Sequence, residues 1–175
     1  SAYAGVLVRN ILDMASGVDC PDGDYYDRTT CYSQYAVTLG DSYWTEDSPD
    51  NPYEMIANRK MEHYAEQGTQ YQYSGVNPFL LAWMLESVSG MPLQDVFTRE
   101  IWSRIGAESD ASYLAPRNGV PLAHGGFMAR MRDMARFGLL FTPSYAVVAD
   151  KKLLPETLFD SIGLPATEPF QIDAR

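Results

Sequence analysis

Apolar residues in this chain recur mostly at spacings of three and four, and the elements they predict are helices. Val8 to Ala15 reads as a short helix with Ile11 and Leu12 inward, closed by Ser16-Gly17. Residues 18–50 form a polar stretch rich in Asp, Tyr, Gly and Ser, in which Thr30 to Leu39 has the pattern for two helical turns. A loop region of that length in a compact domain is commonly functional. Asn51-Pro52 opens a helix with Tyr53, Ile56, Ala57, Met61 and Tyr64 on one face, broken at Gly68. In the next helix Asn77 reads as the N-cap and Pro78 as the first residue. Leu81, Met84, Leu85 and Val88 form its apolar face, and Gly90 can turn left-handed beyond its end. Pro92 starts a helix with Val96, Phe97, Ile101 and Ile105 on one face, stopped by Gly106. Met128 to Phe141 follows with Met131, Met134, Ala135 and Leu139 inward, and Leu154-Pro155-Glu156 begins a last helix to about Ile162. Residues 111–124, punctuated by Pro116, Asn118-Gly119 and Pro121, read as loop or short strand. Little of the chain alternates as a large sheet requires, so the expectation is a predominantly α chain of about five or six helices with few short strands.

Composition narrows the function classes. The net charge of −10 argues against nucleic acid, whose binding depends on neutralising phosphates with Lys and Arg, and against anionic membrane surfaces. The acidic residues are scattered, as on a solvated surface. No stretch is long and apolar enough to span a bilayer, and none reads as a signal peptide. Cys20 and Cys31 flank a polar loop: either they form a disulfide, which places the chain in an oxidising periplasmic or secreted setting, or they are two free thiols. Neither His63 nor His124 stands at a ligand spacing from them, so no metal and no cofactor is expected. The chain opens on Ser-Ala-Tyr-Ala-Gly without an initiator Met and closes beyond a loop containing Pro165 and Pro169. Residues 1–175 therefore read as a single region cut at both ends.

The chain lacks several complete catalytic signatures. It has no G-x-S-x-G, no H-E-x-x-H, no Gly-rich phosphate loop, no K-[ST]-G, and no Ser followed three residues later by Lys. His124-Gly125-Gly126 has the letters of a His variant of the K-[ST]-G strand, but it is read here as leading into a helix. What stands out is Tyr73, on a short turn directly before a helix. Tyrosine is one of twelve in the chain, so a core or surface role is the plain alternative.

Four blocks in order resemble the serine β-lactamase-like family of class C β-lactamases, DD-peptidases, esterases and 6-aminohexanoate-dimer hydrolases. Val8-Arg-Asn-Ile-Leu-Asp-Met-Ala-Ser-Gly17 is similar to its T-V-R-x-L-L-x-M-x-S-G segment. Tyr73-Ser-Gly-Val-Asn-Pro-Phe-Leu-Leu-Ala-Trp-Met-Leu-Glu86 is similar to Y-S-N-x-x-x-x-L-L-G-x-I-I-E. Ser89-Gly90 through Ile105-Gly106 is similar to the T-G to P-L-G block, and His124-Gly-Gly-Phe through Asp133-Met-Ala-Arg-Phe-Gly138 to A-x-G-G to D-L-A-R-F-G. The opening and the Tyr73 block most resemble the aminohexanoate-dimer-hydrolase and esterase-like branch.

The resemblance implies an α+β β-lactamase/transpeptidase-like parent fold, of which this chain is mainly the helical region. It implies a serine hydrolase of amide, ester or β-lactam bonds working through an acyl-enzyme, with Tyr73 as the proton shuttle. The S-x-x-K and the K-T-G or H-x-G segments of the family are not within these 175 residues. The alternative is a non-catalytic lactamase-like protein that binds peptide or cell-wall ligands. Either reading implies a small-molecule or peptide-like ligand, and the missing parent segments as partners. The family often has Asn where this chain has Gly75, a change that opens room beside Tyr73 or merely eases the turn. His124 is expected to line the substrate site or to be a hydrogen-bonded structural histidine. Tyr25 and Tyr26 are candidates for the substrate rim, with solvated loop aromatics as the alternative.

Overall fold

The structure is a computed structural model that describes residues 2–23 and 25–162. Pro165 and Pro169 lie outside the described residues. The chain divides into two compact units. One takes the chain up to Met84 and returns for Leu114–Gly126, and the other takes Leu85–Tyr113 and the chain from Phe127 onward.

The first unit begins with α1, Val8–Leu12. Ile11 is fully buried, but Leu12 is exposed, contrary to the inward placement expected of it. The helix ends after little more than one turn because Met14, at φ 55°, reverses the chain. Residues 14–20 then run beside residues 62–72. Val18 bridges His63, and backbone bonds join Asp19 N–H to the Glu62 carbonyl, Tyr64 to Gly17, and Gln72 to Met14. That pairing overrides the helix expected to continue to Gly68. The helix opened by Asn51, α3, is only Pro52–Asn58, and Met61 is buried from an extended segment. Asn51 caps it as expected, accepting from Glu54 N–H at 2.9 Å. In α2, Cys31–Leu39, Thr30 caps in the same way through Ser33 N–H, and Gly40 ends the helix left-handed at φ 84°. Nearly the whole of α2 is buried, including Tyr35 and Ser33.

The helix after Tyr73, α4, is Val76–Ser89. Asn77 is its second residue rather than its cap. Its side chain is buried, accepting from the Tyr3 hydroxyl at 3.4 Å. Pro78 as third residue removes an N–H that has no partner in the first turn anyway. The buried face is Val76, Phe79 and Leu80, with Trp83 packed against the same core. Of the Leu81, Met84, Leu85 and Val88 face that the spacing picked out, Leu81 and Met84 pack against this core, whereas Leu85 and Val88 are exposed. Apolar residues surround this helix on most sides, so their spacing alone does not select a face.

Cys20 and Cys31 are joined by a disulfide. It closes a loop of about a dozen residues, and closure entropy on that scale contributes about 3 kcal/mol.

The second unit holds α5, Leu93–Glu100, a 3-10 turn at Trp102–Arg104, and an antiparallel pair of two-residue strands. In that pair β1 (Ser112–Tyr113) sets Ser112 against Met128 and Tyr113 against Phe127 of β2 (Phe127–Met128). A helix α6, Met131–Leu139, a 3-10 turn at Pro143–Val147 and α7, Glu156–Ile162, complete it. Its core gathers Trp102, Ile105, Leu140 and Ala149, with Phe97, Phe127 and Phe137 against them. Met131, Met134 and Ala135 of α6 face solvent, contrary to expectation. The buried residue of that helix is Asp133, which accepts from Glu108 N–H at 2.9 Å and from Arg136 at 3.0 Å. Arg136 also reaches Glu108 Oε1 at 2.6 Å, so the Asp-x-x-Arg of the last sequence block is a structural clasp. Among the described residues no helix is long and apolar enough to cross a membrane.

Candidate active site

Tyr73 lies in the first unit, on the short extended turn that feeds α4, with about half its side chain exposed. Each residue of the turn is held separately. Asp22 N–H donates to the Tyr73 carbonyl at 3.3 Å. Ser74 is buried and its hydroxyl donates to the Cys20 carbonyl at 2.6 Å. Gly75 N–H donates to Asp22 Oδ1 at 2.7 Å, and the Gly75 carbonyl accepts from the Tyr35 hydroxyl at 3.2 Å. Because Ser74 points inward, alternation along the extended turn directs Tyr73 outward.

Gly75 is not in the left-handed region, so its glycine is not required by the turn itself. It is favoured by close neighbours. A Cβ there would stand 3.2 Å from His124 Cδ2 and 3.4 Å from Asp22 Oδ1. The room expected beside Tyr73 is filled by an imidazole edge and a carboxylate.

His124 is half-buried, with Nδ1 3.3 Å from the Tyr35 hydroxyl. Tyr35 has one proton to give. If it donates to the Gly75 carbonyl, His124 donates from Nδ1 and Nε2 is left as an acceptor. Burial holds the His124 imidazolium below the usual histidine range, although Asp22 and Asp41 pull the other way. Burial also pushes the Asp22 carboxyl up, against the opposing effects of the Gly75 N–H, His124 and the Tyr32 hydroxyl. Tyr35 and Tyr32 are both pushed well above the ordinary phenol range by burial. Neither supplies a phenolate.

His124-Gly125-Gly126 leads first into the two-residue strand β2 and only then into α6. Gly126 is obligatory for space, since a Cβ there would come within 2.7 Å of Leu122 Cβ. Tyr25 is partly exposed, with its hydroxyl 3.4 Å from that of Tyr32 and its ring edge-on to the Tyr32 ring. It therefore connects to Asp22 through Tyr32. Tyr26 is almost fully exposed.

The structure thus gathers Tyr73, Gly75 and His124, and links Tyr25 to them through a hydrogen-bonded chain. Asp22, Tyr32, Ser74 and Tyr35 belong to the same cluster and do not stand out in the sequence. Asp22 meets Gly75 across 53 residues and Tyr35 meets His124 across 89, distances that no local pattern signals. The one available signal for Asp22 was its place in the cysteine-bounded loop. Among the described residues no group of three or more His, Cys, Asp or Glu is placed to hold a metal.

With this geometry in place, comparison with known proteins defines the class. The Beta-lactamase family model matches residues 1–162, and the chain belongs to that family. Among individual proteins, the 6-aminohexanoate-dimer hydrolase of Paenarthrobacter ureafaciens is 28% identical over 139 residues, covering 79% of this chain and 34% of the relative. A solved Bacillus anthracis structure assigned to the 6-aminohexanoate-dimer hydrolases superposes with a TM-score of 0.74 at 24% identity. That match covers 93% of this chain and 42% of the other. The octameric penicillin-binding protein homologue of Pyrococcus abyssi gives 0.59 at 19% identity, covering 85% and 37%. The fold is β-lactamase/transpeptidase-like, and the chain spans about a third of the length of the curated relative it matches.

Proposed function

We propose that this chain forms one wall of the active site of a serine hydrolase that cleaves amide or ester bonds through an acyl-enzyme. The observation that carries the reading is the Tyr73 turn: an outward phenol followed by two peptide units, one on either side of Ser74, each fixed by a hydrogen bond to Asp22. Tyr73 is the proton shuttle. A phenol becomes useful as a base beside a Lys ammonium, which favours its phenolate form. Lys60, Lys151 and Lys152 are the only lysines in the chain, and Lys60 pairs with Glu62 at 3.4 Å. In this reading the activating Lys and the Ser come from an S-x-x-K segment outside these residues. The Ser hydroxyl gives its proton to Tyr73 as its oxygen bonds the carbonyl carbon. Tyr73 then passes the proton to the departing amine or alcohol, and water releases the acyl group.

Gly75 and His124 set the substrate. Where an Asn side chain would begin at position 75, the His124 ring edge is already present, and an Nε2 left as an acceptor can receive a hydrogen bond from a substrate N–H. A relative that acts on the 6-aminohexanoate dimer favours linear amides over lactams. Tyr25 and Tyr26 form the rim.

The test has two arms. Incubated alone with a fluorescent penicillin and a chromogenic ester, this chain should acquire no covalent label, and labelling would overturn the division of labour. In the parent hydrolase, Tyr73→Phe should slow turnover by roughly 100-fold or more, within the span usual for general acid–base groups. Unchanged turnover would remove Tyr73 from the mechanism.

The second reading is a non-catalytic lactamase-like protein that binds peptide or cell-wall ligands. The flanking coding sequence discriminates: S-x-x-K upstream with K-T-G or H-x-G downstream supports the hydrolase, and their loss supports the binding protein.

A further inference from the structure

We infer that Asp22 is the positioning residue of the site, clamping the Tyr73 turn from both sides and facing the His124 ring, with the Cys20–Cys31 clip holding Asp22 in place. The inference rests on the reading of Tyr73 as shuttle and extends it to a residue that makes no contact with the reacting atoms.

The clamp uses two different parts of Asp22. Its backbone N–H donates to the Tyr73 carbonyl, and its side chain accepts from Gly75 N–H at 2.7 Å. The peptide units on either side of Ser74 are thereby tied to one residue. Ser74 itself is tied to Cys20, two positions earlier, at 2.6 Å. Segment 20–22 therefore holds segment 73–75 by three hydrogen bonds, so displacing it moves Tyr73. Cys20 is fully buried and bonded to Cys31, the first residue of α2, so the segment is anchored to a buried helix. The same carboxylate lies against the point from which a side chain at 75 would grow, opposite the His124 edge.

A short charge-assisted hydrogen bond to a backbone amide is a strong one, and such bonds recur where geometry must be kept. A displacement of about 1 Å at a reacting group costs on the order of 100-fold in rate. Asp22 thus contributes to turnover rather than to ground-state binding.

Two variants separate its functions. Asp22→Ala removes acceptor and charge, whereas Asp22→Asn keeps an oxygen acceptor for Gly75 N–H and loses only the charge. In the parent hydrolase, Asp22→Ala should lower kcat by roughly 10- to 100-fold with KM within about threefold. Asp22→Asn should recover most of that loss. Equal loss in both, or a loss expressed in KM alone, would overturn the positioning role. In this chain itself, hydrogen exchange at the Gly75 amide should speed at least roughly tenfold in Asp22→Ala and little in Asp22→Asn. His124 should titrate at lower pH in both, because the carboxylate that favours its charged form is gone. Should Asp22→Ala fail to fold, Asp22→Asn still gives both readouts, and an unmoved His124 titration would overturn the juxtaposition. The proposed function fails separately: if Tyr73→Phe is fully active while exchange and titration move as stated, the clamp is real and the shuttle is not.

Discussion

Gly75 shows how a missing side chain can be explained by what occupies its place. The position stands out in the sequence as a departure from the Y-S-N pattern, but the reason lies in His124 and Asp22, which come from distant parts of the chain. Gly75→Ala should cost about 1 kcal/mol, since the added methyl requires His124 or Asp22 to give by a few tenths of an ångström without backbone strain. Urea midpoints with an unchanged slope would check this. His124 makes a second prediction. Its value is depressed by burial, so the stability it contributes is present above its unfolded value near 6.5 and is lost as pH falls through the lower folded value. Asp22, Asp41 and Tyr35 face the ring, and both carboxylates moderate the loss. Stability should therefore decline on acidification from pH 7 toward 5. In His124→Gln that part of the decline should vanish.

Helices were legible where their ends carry chemistry. Thr30, Asn51 and Gly90 mark boundaries that hold within a residue or so, because each fixes backbone partners locally. Faces were harder to read. Around α4 apolar residues leave no polar side to orient the helix, and in α6 the buried position is a carboxylate, Asp133, which a hydrophobic pattern assigns outward. The apolar pattern carries the helix after Asn51 too far because it cannot register that residues 62–72 pair with residues 14–20. That pairing has a vulnerable point at Gly17. At φ 77° it is left-handed, and a Cβ there would lie 2.5 Å from the Ala65 carbonyl oxygen. Gly17→Ala should lose about 3 kcal/mol or more, or fail to fold, by thermal or denaturant melting. Gly90→Ala, left-handed but with nothing nearby, should lose only about 1 kcal/mol.

For the molecule as a whole, family membership was legible because four blocks kept their order, and no single block was needed. The site was legible in part: Tyr73 lies next to a helix start that the sequence announces, while its clamp is assembled from the cysteine-bounded loop. The cysteines alone left pairing open, and the structure joins them. Reduction, or Cys20→Ser with Cys31→Ser, should lower stability by about 3 kcal/mol, read as a shift of the denaturation midpoint with and without reductant. The Cys20 carbonyl that receives the Ser74 hydroxyl has a consequence for handling the protein. A preparation folded in a reducing host can have correct helices and correct mass, yet its Tyr73 turn will rest on an unanchored loop. If the proposed parent hydrolase were prepared that way, weak turnover would report its redox history rather than its chemistry.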